Sequence, residues 1–359
     1  MSRFIKKILL TLLAFGCLAL VVTQAIYSSI GERGVLDVES RYLITNEQRL
    51  LESPERYDAV FIGSSVTFRQ INSDVFDKFV TGSPEFRSYN LGNPGMYPMR
   101  SVAYLENFID RAPDGLGFIF FELYNLDTVS INYRSPQIMR LMNLRNYLDI
   151  TKVIAGSNYP GSYKRYLLMQ YTRALVFKSF GFGLISYFNF QQDLKDLHGE
   201  WIANSPRGFY PKDMELEMTV YPDNVAKLRG IQEELILDPA PLDQRRQLHA
   251  DKYSRAWQLV QSPFTEALEE LIAVAAQKNI KLIFIMPPLV PETAVTFSYP
   301  AYEMLPDEHK IDLSDPGRYP ELYLHRNVFD LEHVNSTGSR FLSRYLAEEF
   351  NRIQVPEQE

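Results

Sequence analysis

The sequence predicts an α/β protein built on a central parallel β-sheet with helices on both faces. Two observations carry this. Short, almost continuously apolar runs occur within "YDAVFIGSS" (57–65), "GFIFFELYN" (117–125) and "KLIFIMPPL" (281–289). They have strand length and lack the alternation of a one-faced sheet, as expected where both faces are buried. Between and after them lie segments whose apolar residues recur about once per helical turn. Strand alternating with helix implies parallel strands and right-handed crossovers. Ligands of such sheets bind at the carboxyl ends of the strands, so chemistry is sought just after each apolar run.

The elements follow in order along the 359 residues. Arg3, Lys6 and Lys7 precede an uncharged run from Ile8 to Ile26, about long enough to cross a bilayer at ~1.5 Å per helical residue. Cations ahead of such a span place the start of the chain in the cytoplasm and the rest outside it. Residues 1–27 are therefore expected to be a single-pass anchor in a bacterial cytoplasmic membrane, with a signal peptide cleaved near Thr23-Gln24-Ala25 as the alternative. Cys17 fits a membrane-buried position better than a lipoprotein box, because the large Phe15 stands two residues before it. Residues 28–56 are polar and helix-compatible, and read as a stalk.

The first buried strand, 58–62, leads into a helix-compatible segment reaching residue 79. A short strand in "RSYNLGNPG" (87–95) stops in a glycine-rich loop, and Met99 to Ile109 places Val102, Leu105 and Phe108 about one turn apart. After the strand at 117–125 comes a long segment, 128–260, rich in Tyr, Phe, Arg and Lys, with a helix expected over 163–180. It is either a cap over the site or helical padding at the domain edge. Residues 263–279 begin with proline and set Leu268, Leu271 and Ile272 on one helical face. The strand at 281–289 follows, and "NSTGSRFLSRYLAEEFNRI" (335–353) closes with a helix burying Phe341, Leu342, Tyr345, Leu346 and Phe350. The α/β domain is thus expected from 57–127 and 261–355.

Composition removes several functions. A net charge of -7 and a pI near 5.4 argue against nucleic acid, whose backbone calls for concentrated Lys and Arg. There is no G-x-G-x-x-G or Walker loop, and a single cysteine excludes disulfides within the chain and thiolate metal clusters. The five histidines never form H-x-x-x-H or H-x-H pairs, so a metal site is unsupported.

Three small motifs carry candidate chemistry. Gly63-Ser64-Ser65 ends the first strand, where a serine at a helix amino terminus would have backbone N–H groups beside any developing negative charge. The same composition also suits a plain N-capping turn. Near the C-terminus, "VFDLEHVNSTG" sets Asp330 three residues before His333. In a helix-like turn the carboxylate can accept from one imidazole nitrogen and leave the other free as a base. The third motif is a pair of strand-end donors for an oxyanion, the Gly95 N–H in "YNLGNPG" and the Asn125 amide in "FELYN". Each such donor is worth ~3–4 kcal/mol in acyl transfer.

Taken together, these motifs resemble the SGNH (GDSL-type) hydrolase family, over residues 57–127 and 280–352. The resemblance implies a flavodoxin-like three-layer sandwich with Ser65, not Ser64, as nucleophile. Asp330 and His333 would complete the triad, and Ser65, Gly95 and Asn125 would form the oxyanion hole. Asn335 and Gly338 fit the last block. The chain departs from the family in reading Gly-Ser-Ser-Val for Gly-Asp-Ser-Leu, and in a third block, Glu122-Leu123-Tyr124-Asn125, that is one residue short and lacks its glycine. Its Gly-Ser-Ser form, N-terminal span and long insertion are similar to extracytoplasmic members that work beside membrane-bound O-acyltransferases, in alginate acetylation and in D-alanyl transfer to teichoic acid. Implied in turn is a periplasmic or extracellular serine esterase or O-acyltransferase, without cofactor, acting on acyl, chiefly acetyl, esters of a polysaccharide. A catalytically inactive scaffold or glycan-binding protein of an export complex is the competing reading, and a lipase-like enzyme with an apolar groove beside Ser65 a third.

Overall fold

Five strands pair in parallel: β1 (Ala59–Ile62), β2 (Ser88–Asn90), β3 (Phe118–Glu122), β4 (Lys281–Met286) and β5 (Lys310–Asp312). The computed structural model describes residues 3–34, 38–53, 55–96, 98–123, 144–156, 160–180, 201, 203–205, 207–218, 222–254 and 265–354. The sheet order is β2-β1-β3-β4-β5, one of the two common doubly wound orders. Register runs Phe61 beside Asn90 and Phe120, and Phe120 beside Ile283. The order reverses between β1 and β3, and the crevice beyond their carboxyl ends is where such sheets bind ligands.

The chain divides into two compact units. One comprises Met1–Arg41 and Val129–Lys195, the other Tyr42–Thr128 and Asp196–Glu359. The second holds the sheet. Alternate residues Ala59, Phe61, Phe120, Ile283, Ile285 and Ile311 form one core with Phe76, Leu342, Leu346 and Phe350. The last four come from the helices α4 (Ser73–Phe79) and α12 (Ser336–Gln354). The strand residues between and beside these, Val60, Ile62, Ile119, Phe121, Leu282 and Phe284, point to the opposite face by the pleat and are equally buried. Helix α10 (Thr265–Gln277) packs on β4 and on α5 (Pro98–Arg111). A sheet buried on both faces has no use for alternation, which is why its strands read as unbroken apolar runs.

Three boundaries differ from the sequence reading. The segment expected as a stalk becomes, from Tyr42 onward, part of the sheet unit. Tyr42, Leu43 and Leu50 of α2 (Val38–Leu51) are buried, and the Tyr42 hydroxyl donates to Gly208 O at 3.2 Å. The expected insertion at 128–260 splits, residues 129–195 joining the first unit and 196–260 the second. The helix-compatible stretch up to residue 79 is two helices, α3 (Ser65–Gln70) and α4, broken where Asn72 caps the second by accepting from Val75 N at 3.2 Å.

In the first unit, α1 (Arg3–Gly34) contains the run Ile8–Ile26, and α6 (Leu144–Gly156) and α7 (Gly161–Ser179) follow. Among the described residues no helix is long and apolar enough to cross a membrane.

Candidate active site

The site is built on the turn between β1 and α3. Ser64 is the N-cap of α3, its hydroxyl accepting from Val66 N at 3.1 Å and donating to Glu122 Oε1 at 2.6 Å. Glu122, the last residue of β3, also accepts from the backbone N–H of Ser64 at 3.0 Å and of Thr67 at 2.8 Å, and from the Thr67 hydroxyl. A Cβ at Gly63 would strike Thr67 Oγ1 and the Glu122 side chain. Glycine at this position is therefore a packing requirement. Burial pushes the Glu122 carboxyl above its ordinary value, and the four donors pull it back without cancelling that push.

These bonds leave one serine and one amide available. The Ser64 hydroxyl is buried and committed twice. Ser65, half-buried at the first position of α3, keeps its hydroxyl for His333, whose Nε2 lies 3.0 Å from Oγ. In the turn, the amides of Ser64, Val66, Thr67 and Phe68 all have acceptors. The Ser65 amide has none among the described residues. An N–H beside a serine hydroxyl, without an internal acceptor, is the kind of donor from which an oxyanion hole is built.

The imidazole is held from behind. His333 Nδ1 lies 2.9 Å from Asp330 Oδ1 and 3.1 Å from Oδ2, and the backbone N–H groups of Glu332 and His333 donate to Oδ1 at 2.8 Å each. Lys212 Nζ reaches Asp330 Oδ2 at 2.6 Å and stands 3.4 Å from His333 Nδ1. Burial alone would raise the Asp330 carboxyl. The charge and hydrogen bond of His333, followed by those of Lys212, outweigh it and hold the group well below the usual carboxylate range. A carboxylate fixed on Nδ1 leaves Nε2 as the proton acceptor for Ser65, as a serine nucleophile requires.

Other bonds lock the two halves together. Gln70 Nε2 donates to Glu332 O at 2.7 Å, tying the end of α3 to the turn that carries His333. Asn90, the last residue of β2, donates from Nδ2 to Thr67 O and Ile71 O, both at 2.8 Å. The β2 loop continues against the serine turn, with Asn93 N donating to Gly63 O at 2.9 Å. Two residues on, Gly95 has φ +69°, and its amide has no acceptor among the described residues. Asn125 lies outside the described residues.

The structure thus brings Ser65 to His333 and Asp330 across 268 residues, the three side chains that the sequence motifs group together, and adds Glu122, Lys212 and Gln70. A lone carboxylate closing the apolar run "FIFF" was a usable signal for Glu122. Nothing in the spacing of Lys212, about a third of the chain away from Asp330, could have paired the two. Among the described residues no group of His, Cys, Asp and Glu could hold a metal ion. No family model matches the chain, and neither does any curated protein or solved structure.

Proposed function

We propose that this protein is a serine-dependent acyl-transfer enzyme, an esterase or O-acyltransferase of SGNH type working outside the cytoplasmic membrane. The observation that supports it is the hydrogen-bonded series Ser65 Oγ, His333 Nε2, His333 Nδ1, Asp330. In this reading His333 takes the Ser65 proton as Oγ attacks an acyl carbonyl. The Ser65 and Gly95 amides, with the Asn125 side chain as the expected third donor, stabilise the oxyanion. His333 then returns the proton to the leaving alcohol, and a second alcohol or water resolves the acyl-enzyme.

The proposed substrate is an acylated polysaccharide, and the proposed source or sink of acyl groups is a membrane-bound O-acyltransferase. The choice of a polysaccharide acceptor rests on the family resemblance given above. The proposed location follows from the uncharged run Ile8–Ile26 inside α1.

A fluorophosphonate probe tests the chemistry. The protein should label covalently, Ser65→Ala and His333→Ala should abolish labelling, and Ser64→Ala should retain part of it. No labelling of the folded protein, or equal loss in both serine variants, would reduce the turn to a structural one and favour the inactive-scaffold reading.

A further inference from the structure

The first unit has a charge balance unlike the rest of the chain. It holds 14 Lys and Arg against 5 Asp and Glu, whereas the sheet unit holds 23 against 39. Within it α7 carries Lys164, Arg165, Arg173 and Lys178 and no acidic residue. One face of α7, with Leu167, Gln170, Tyr171 and Ala174, is buried. The opposite face follows helical spacing through Arg165, Tyr166, Met169, Arg173, Val176 and the C-cap Phe180, all exposed. Its apolar members stand 42–44% exposed. Helix α6, packed beside α7, adds Leu144 and Leu148 one turn apart, 64% and 50% exposed.

We propose that the exposed face of α7, extended by the edge of α6, docks onto the headgroup region of an anionic phospholipid bilayer. A helix face that interleaves aromatic and aliphatic residues with cations, on a helix with no acidic residue to repel lipid phosphate, matches the mixed apolar and anionic character of the headgroup region. Charge complementarity selects the occupant. An isologous contact with a second copy would bring one strongly cationic unit against another, and a soluble polyanion would leave four large apolar side chains in water. The inference rests on the first unit alone and stands whatever Ser65 does.

Nitroxide accessibility in the full-length chain tests it. In a Cys17→Ser background, labels are placed singly at Met169→Cys and Val176→Cys, with Leu237→Cys on the sheet unit as reference. Each is mixed with vesicles of phosphatidylcholine alone or containing phosphatidylglycerol. With phosphatidylglycerol, the ratio of oxygen to nickel-chelate accessibility should rise several-fold at 169 and 176 and stay constant at 237. The combined substitution Arg165→Glu and Arg173→Glu should abolish that rise, its folding being checked by circular dichroism. Equal nickel accessibility in both vesicle types overturns the proposal. So does spin–spin broadening between labels, which would mean a second copy, and so does equal shielding by dextran sulfate without lipid, which would mean a polyanion site.

Discussion

At the scale of the residue, two neighbouring serines have divided their roles through one carboxylate. Glu122 occupies Ser64 and leaves Ser65 to His333. Removing the Ser64 hydroxyl strips a donor from a buried carboxylate, a loss that costs about 1–3 kcal/mol, so Ser64→Ala should lower stability more than it lowers labelling. The two buried carboxyls also respond oppositely to pH. Asp330 is held low, so its contribution is present above its unfolded pKa of about 3.9 and is lost as pH falls toward its folded value. Glu122 is held high, so its contribution is present below about 4.3 and is lost as pH rises through its folded value. Glu122→Gln preserves the shape of the protonated form. Urea midpoints of wild type and Glu122→Gln should therefore coincide near pH 4, and the wild type should fall below the variant as pH rises to 7. A wild type that gains on the variant over that range would show that the four donors outweigh burial.

At the scale of the element, the last helix is where sequence and structure agree most closely, and the reasons are physical. Helix α12 was legible from its apolar spacing and from Asn335, whose side chain accepts from Thr337 N and Gly338 N at 3.0 Å each. Its second tie was not legible: Asp213 accepts from Ser336 N at 3.0 Å and from the Ser336 hydroxyl at 2.6 Å, across 123 residues. Gly338 sits so close to the Asn327 carbonyl that a Cβ would strike it. Gly338→Ala should therefore cost about 1–3 kcal/mol through forced backbone movement, read as a lower melting temperature with His333 displaced from Ser65. An unchanged melting temperature would show that the helix start can yield. Strand β5 went unread because two of its three residues, Lys310 and Asp312, are charged, whereas β1, β3 and β4 are buried on both faces and announce themselves.

At the scale of the molecule, the sheet, its parallel sense and the pairing of Ser65 with Asp330 and His333 could be read from sequence. Strand-end turns in a doubly wound sheet all open on one edge, which makes distant motifs neighbours. The division into units could not be read so. Residues 196–260 contain no strand among those described, yet Lys212, Asp213 and Glu215 reach Asp330, Ser336 and Arg69. Such polar contacts leave no periodic trace. For the proposed transfer activity, an enzyme delivering acyl groups to sugar gains nothing by losing them to water. Hydrolysis of small activated esters should be slow, and an oligosaccharide acceptor should speed acyl loss and appear acylated by mass spectrometry. Fast turnover in water, unaffected by acceptor, would mark a plain esterase.

Ser65 and His333, the proposed nucleophile and base, are 268 residues apart, one at the first strand and the other just before the last helix. A chain synthesised from its N-terminus presents Ser65 long before His333 exists. Until α12 has packed and Gln70 has met Glu332, the serine is an ordinary alcohol. On the proposed function, reactivity is then the last property this protein acquires during its biogenesis, and a nascent or C-terminally clipped chain carries no armed nucleophile.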